Sequence, residues 1–101
     1  MVIVKFRTRQ LETCFHRHRK ASQLFGEQIA RKYIQRINII QRTQNIDELM
    51  RLPGLRCHAL KGNRSGQYAV NLSGFYRLIF RLTGNQLEIV VIEEVSKHYG
   101  D

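Results

Sequence analysis

Between residues 10 and 51 apolar side chains recur at helical spacing, and beyond Pro53 they alternate, so the chain divides into a helical first half and a strand-and-turn second half. Val2 to Phe6 is β-branched and weakly alternating, which predicts a first strand ending where charge density rises at Arg7. A short helix is expected from Gln10 to about Arg17, with Leu11, Cys14 and Phe15 forming one apolar stripe. A long helix is expected from about Ser22 to Arg42. Ser22 would cap it, Phe25, Ile29, Tyr33, Ile37 and Ile40 would face the core, and Arg31, Gln35, Arg36 and Arg42 would lie on the solvated face. Asn45, with Asp47 and Glu48 in the first turn, predicts a third, short helix that closes before Pro53-Gly54.

The second half reads as strands at about 56–60, 67–72, 76–82 and 87–92, an antiparallel meander joined at Gly62 to Gly66, Ser73-Gly74 and Gly84-Asn85. A two-residue turn at Gly84-Asn85 would pair Leu82 with Leu87, Phe80 with Ile89 and Leu78 with Val91, giving one apolar face for the helices. The opposite face would carry Arg77, Ile79 and Arg81 beside Glu88, Val90 and Ile92, with Arg81 across from Glu88. Arg77 has no acidic neighbour in that register, so its guanidinium awaits an anion, or a partner among Glu93, Glu94 and Asp101. A two-residue turn at Ser73-Gly74 would put Tyr68 and Val70 on the Arg77 face, whereas a bulged loop would flip them. The expected class is α+β: an N-terminal strand and two to three helices on a C-terminal antiparallel sheet, about βααββββ.

A length of 101 residues makes one domain, residues 1–101. Seventeen Lys and Arg against eight Asp and Glu give a net charge of +9. In a chain with ordinary hydrophobic content, this excess points to a folded basic surface and to nucleic acid, a ribosomal surface or an acidic protein as partner. No apolar run approaches the roughly 18–20 residues that span a bilayer, and the N-terminus lacks a signal-peptide core, so a cytoplasmic location with no membrane partner is expected. Cys14 and Cys57 are too few for a disulfide framework or a zinc site and read as reduced structural thiols. His16 and His18 lie among Arg17, Arg19 and Lys20, a setting that repels a metal cation and favours a solvated basic segment.

The densest chemistry lies at 52–66, Leu-Pro-Gly-Leu-Arg-Cys-His-Ala-Leu-Lys-Gly-Asn-Arg-Ser-Gly. His58, Lys61 and Arg64 fall within seven positions, with Gly62 and Gly66 freeing the backbone, a pattern suited to gripping a phosphate and exchanging protons with it.

Residues 52–68 (Leu-Pro-Gly-Leu-Arg-x-His-x-Leu-Lys-Gly-x-Arg-x-Gly-x-Tyr), 74–80 (Gly-x-Tyr-Arg-Leu-Ile-Phe) and 94–100 (Glu-Val-Ser-Lys-His-Tyr-Gly) together resemble the HigB branch of the RelE/ParE bacterial toxins. The resemblance implies a RelE-like fold and a type II toxin, an endoribonuclease that cuts messenger RNA in the A site of the 70S ribosome without metal or other cofactor. It also implies silencing by a cognate antitoxin, a helical DNA-binding protein, with autorepression by the complex on operator DNA. The RNA 2′-hydroxyl would attack the adjacent phosphorus, one side chain taking its proton and another protonating the leaving 5′-oxygen.

Carried over by position, His58, Lys61 and Arg77 match the family's basic and proton-exchanging residues, and His98 and Tyr99 match its C-terminal aromatic and histidine pair. Arg64 is the expected phosphate contact, with Arg56 and Lys97 as further RNA-binding candidates. The tail departs from the common Asp-Tyr-His order, here Lys97-His98-Tyr99, which leaves open whether either His98 or Tyr99 is the acid. His58 and His98 are assigned as the acid and base couple, Lys61, Arg64 and Arg77 as stabilisers of the phosphorane, and Tyr99 as a base-stacking or orienting group. Two rival readings are a gyrase poison of the ParE kind on the same fold, and a non-catalytic RNA- or ribosome-binding protein.

Overall fold

The computed structural model describes residues 2–83 and 89–97. Strand β1 (Ile3–Phe6) is followed by helices α1 (Arg9–His16), α2 (His18–Phe25), α3 (Glu27–Arg42) and α4 (Ile46–Arg51). Strands β2 (His58–Ala59), β3 (Gln67–Ser73), β4 (Tyr76–Thr83) and β5 (Ile89–Lys97) complete the described chain, with a 3-10 turn at Gly62–Arg64. The class is α+β, as expected. No helix among the described residues is long and apolar enough to cross a membrane.

Helix ends follow side-chain chemistry. Thr8 caps α1, its hydroxyl accepting from the Leu11 N–H at 3.2 Å, and Asn45 caps α4, accepting from the Glu48 N–H at 2.9 Å. The expected single helix over 22–42 is two helices. Gly26, at φ 88° and ψ 156°, holds a conformation essentially reserved for glycine and breaks the run, so Ser22 lies inside α2 and caps nothing. The apolar stripe survives the break because Ile29, Tyr33, Ile37 and Ile40 all fall in α3, where they are buried. The Tyr33 hydroxyl donates to the Leu11 carbonyl at 2.7 Å and ties α3 to α1.

The sheet has the order β1-β5-β4-β3-β2 and is mixed: β1 pairs in parallel with β5, while the other pairings are antiparallel. The four C-terminal strands form the expected antiparallel meander, and β1 joins it in parallel at the β5 edge. The expected β4–β5 register fails. Leu82 pairs with Val90, Phe80 with Ile92 and Leu78 with Val95, with an irregularity opposite Ile79 and Phe80. Thr83 pairs with Ile89, so five residues intervene where a two-residue turn was expected; Gly84, Asn85, Leu87 and Glu88 themselves lie outside the described residues. The change of parity moves Val90 and Ile92 to the helix side.

On β3, Ser73 pairs with Tyr76, so the turn is Gly74-Phe75 instead of Ser73-Gly74, and an irregularity between Asn71 and Ser73 restores the pairing. Tyr68 and Val70 therefore join the helix side opposite Phe80 and Leu78, the outcome expected of the bulged alternative. The strand expected at 56–60 contracts to His58–Ala59, and the one expected at 87–92 becomes 89–97.

The helices cover Val70, Leu72, Leu78, Phe80, Val90 and Ile92, with the Tyr68 ring stacked on Phe80 at 5.6 Å. Cys14 and Cys57 are free and buried, and burial pushes the Cys57 thiol from 9.0 up to about 11.

Candidate active site on the open face of the sheet

Residues paired across a sheet share a face, so the register defines what the side away from the helices presents. One row is His58, Ala69, Ile79 and Glu94; the next contains Asn71, Arg77 and Ser96; a third contains Gln67, Arg81 and Val91. Ala69, Ile79 and Val91 are buried yet lie outside the helix-packed core. Cations lie around them. Arg64 donates to Gln67 Oε1 on β3 at 3.0 Å and to Glu94 Oε2 on β5 at 3.1 Å, so its guanidinium links two strands that flank β4. Arg81 donates to Glu93 Oε2 at 2.6 Å, and Arg7 approaches the other oxygen of Glu93 at 3.9 Å. The expected pairing of Arg81 with Glu88 is thus replaced by Arg81 with Glu93.

Arg77 differs from its neighbours. Among the described residues, one buried side-chain polar atom lacks a hydrogen-bond partner, and it is Arg77 Nε. Glu93 and Glu94, two of the acceptors available to it, are occupied by Arg81 and Arg64. Asp101, the third, lies outside the described residues. An unpaired buried donor costs about 1–3 kcal/mol, more when charged, so Arg77 Nε would gain from an acceptor.

His58 is exposed at the edge of the sheet, and its Nδ1 lies 2.8 Å from the Arg56 carbonyl. A carbonyl only accepts, so Nδ1 carries a proton, and in the neutral tautomer this leaves the lone pair that a general base requires on Nε2. His58 and Arg77 share the open face with β3 between them, offset by two residues along the strands. Their Cα atoms are about 12 Å apart by sheet geometry, within reach of long side chains on one phosphodiester segment.

The other candidates are placed less closely. Arg56 is exposed and is the one non-glycine residue at positive φ (51°) among the described residues. Lys61 is exposed and extended at the start of the 3-10 turn that carries Arg64. Lys97 pairs with Tyr76 and lies with Nζ 5.7 Å from that ring's centroid, so its register position is on the helix side, away from Arg77. His98 and Tyr99 lie outside the described residues. His18 pairs with Glu27 at 2.7 Å, and Arg31 reaches the same carboxylate at 3.4 Å.

Spacing alone missed Gln67, and it offered Glu93 and Glu94 as partners of Arg77, whereas they hold Arg81 and Arg64. It also misjudged Arg36, expected on the solvated face of the long helix. Arg36 Nε donates to the Asn71 carbonyl at 2.9 Å, and burial pulls its guanidinium pKa down. No signal in the sequence marked Gln67 or Arg36.

The family described as HigB-like toxin, a RelE-like toxin of the type II toxin–antitoxin system HigB, matches residues 4–94. No curated protein matches significantly. Among solved structures, the YoeB/ParE toxin from Agrobacterium tumefaciens is similar at TM-score 0.66 and 14% identity, over 96% of this chain and 99% of that one. The YoeB-YefM complex from Staphylococcus aureus gives 0.63 and 18%, over 98% and 99%. YafQ from E. coli gives 0.60 and 15%, over 96% and 93%.

Proposed function

Since the chain belongs to the HigB-like family of RelE-like type II toxins, we propose that it is a metal-independent endoribonuclease that cleaves messenger RNA in the A site of the translating 70S ribosome, in the cytoplasm. The observation that carries this reading is the open sheet face, where the buried, unpaired Nε of Arg77 lies on the same side as a histidine whose Nε2 is free to accept a proton. His58 Nε2 takes the proton of the RNA 2′-hydroxyl as its oxygen bonds to phosphorus. Arg77, with Lys61 and Arg64, neutralises the charge that builds on the phosphorane oxygens. The P–O bond to the 5′-oxygen breaks and that oxygen receives a proton from His98 or Tyr99. The products are a 2′,3′-cyclic phosphate and a 5′-hydroxyl.

Arg64 reaches a phosphate by leaving Glu94. Their pair is about two-fifths exposed on each side, a setting in which ion pairs contribute about 0.2–1 kcal/mol, so an RNA phosphate competes. Arg56, beside His58, extends the basic track at the β2 edge, whereas Lys97 lies on the helix side and is not part of it. The partner that silences the enzyme is a cognate antitoxin, a helical DNA-binding protein whose complex with this chain occupies operator DNA.

The test is a purified translating ribosome programmed with a defined messenger. Wild-type protein yields fragments ending in 2′,3′-cyclic phosphate, and His58→Gln yields them at least about a hundredfold more slowly. A messenger carrying 2′-deoxy sugar at the cut position stays whole. Cleavage of that messenger at the same bond overturns the 2′-hydroxyl route, and intact RNA with stalled gyrase supports the ParE-like alternative.

A further inference from the structure

Arg56 holds a left-handed backbone conformation that costs a side-chain-bearing residue of order 1 kcal/mol or more and persists only where its surroundings enforce it. The enforcing contacts converge on Asn71. Its N–H donates to the Leu55 carbonyl at 2.7 Å, fixing the residue just before Arg56. Its carbonyl accepts from Arg36 Nε at 2.9 Å. Strand β2 pairs only at residues 58 and 59, and β3 is irregular just after Asn71, so regular ladder pairing has lapsed where the helix-borne guanidinium takes over. Arg36 also lines a shallow hollow with Ile39, Leu52, Pro53, Gly54 and Leu55, which places it against the loop that leads into Arg56. On the far side, the Arg56 carbonyl accepts from His58 Nδ1 and sets that ring's tautomer.

We propose that Arg36 is a positioning residue: by clamping the Asn71 carbonyl from α3, it holds the strained Leu55–Arg56 segment and, through the Arg56 carbonyl, orients His58 on the open face. Asn71 is also the cross-strand partner of Arg77, so one clamp registers both candidate groups. The catalytic consequence rests on the ribonuclease reading; the clamp itself does not.

The experiment uses the full chain with Arg36→Gln and Arg36→Lys, measured by residue-resolved amide exchange and by ribosome-bound messenger cleavage. Arg36→Gln is expected to speed exchange at Asn71 by about tenfold or more while Phe80 and Ile92 keep wild-type protection, since only a local opening is released. Its kcat is expected to fall about tenfold with KM within about twofold, because orientation of the base is lost and RNA binding is not. Arg36→Lys, which keeps one charged donor, recovers part of both effects. Unchanged Asn71 exchange, or protection lost evenly across the sheet, overturns the clamp. Should Arg36→Gln not fold, the same two readings apply to Arg36→Lys. A wild-type protein that cuts no RNA removes the ribonuclease reading, while the exchange data still decide the clamp.

Discussion

On the helix side of the sheet, Leu78, Phe80 and Ile92 are buried under packed helices; on the other side, Ala69 and Ile79 are as well buried outside that packed core. The first face excludes water by interlocking apolar volume. The second carries charged side chains whose heads meet glutamates: Arg64 with Glu94, and Arg81 with Glu93. A packed face resists change, whereas a face roofed by ion pairs exchanges partners at small cost. Arg77 lacks even that compensation at Nε.

The largest expected effect tests the packed face. Phe80→Ala removes a wholly buried ring and its stacking partner for Tyr68, so urea unfolding should show a loss of about 3–5 kcal/mol. A loss below about 1 kcal/mol would mean that the helices do not interlock there. Gly26→Ala comes next: its φ of 88° and ψ of 156° suit only glycine, and a cost of about 1–3 kcal/mol is expected, read as a lower Tm.

Raising the pH tests the packed face chemically. The folded protein keeps the Cys57 thiol protonated to about pH 11, whereas the unfolded chain ionises near 9.0. Between those values the unfolded state binds fewer protons, so stability falls as pH rises, by up to about 2 kcal/mol. Cys57→Ser should flatten that part of the stability profile relative to wild type. An equal slope in both proteins would assign the loss to other groups.

The smallest effect belongs to the roofed face. Glu94→Gln releases Arg64 from a half-exposed pair and should change stability by no more than about 1 kcal/mol. A Tm shift of more than about 10 °C would show that the pair is structural and not exchangeable.

How much of this was legible depended on whether a pattern had one solution. Leu11 with Cys14, and Ile29 through Ile40, repeat at helical spacing and announced buried helix faces that the structure contains. Asn45 announced its own cap. Ile89-Val90-Val91-Ile92 is apolar at four consecutive positions, so alternation assigned no face, and the register rested on a two-residue connection that the pairing of Thr83 with Ile89 does not allow. Gly26 sat inside an unbroken apolar repeat, which concealed a break that costs the stripe nothing. His58, Lys61, Arg64 and Arg77 were visible as residue types in a basic context, and Arg77 was singled out by its lack of an acidic neighbour. The clamp through Arg36 was not visible, because a backbone carbonyl 35 residues away leaves no trace in spacing.

The central claim is that the roofed face works on RNA through the unpaired Arg77. The direct measurement is the rate of messenger cleavage on translating ribosomes by Arg77→Ala, alongside its thermal unfolding. The expected rate is about 100-fold to 1000-fold below wild type in a protein at least as stable, since the proposed stabiliser of the phosphorane is lost together with a buried unpaired donor. A folded variant that cuts at the wild-type rate would contradict it.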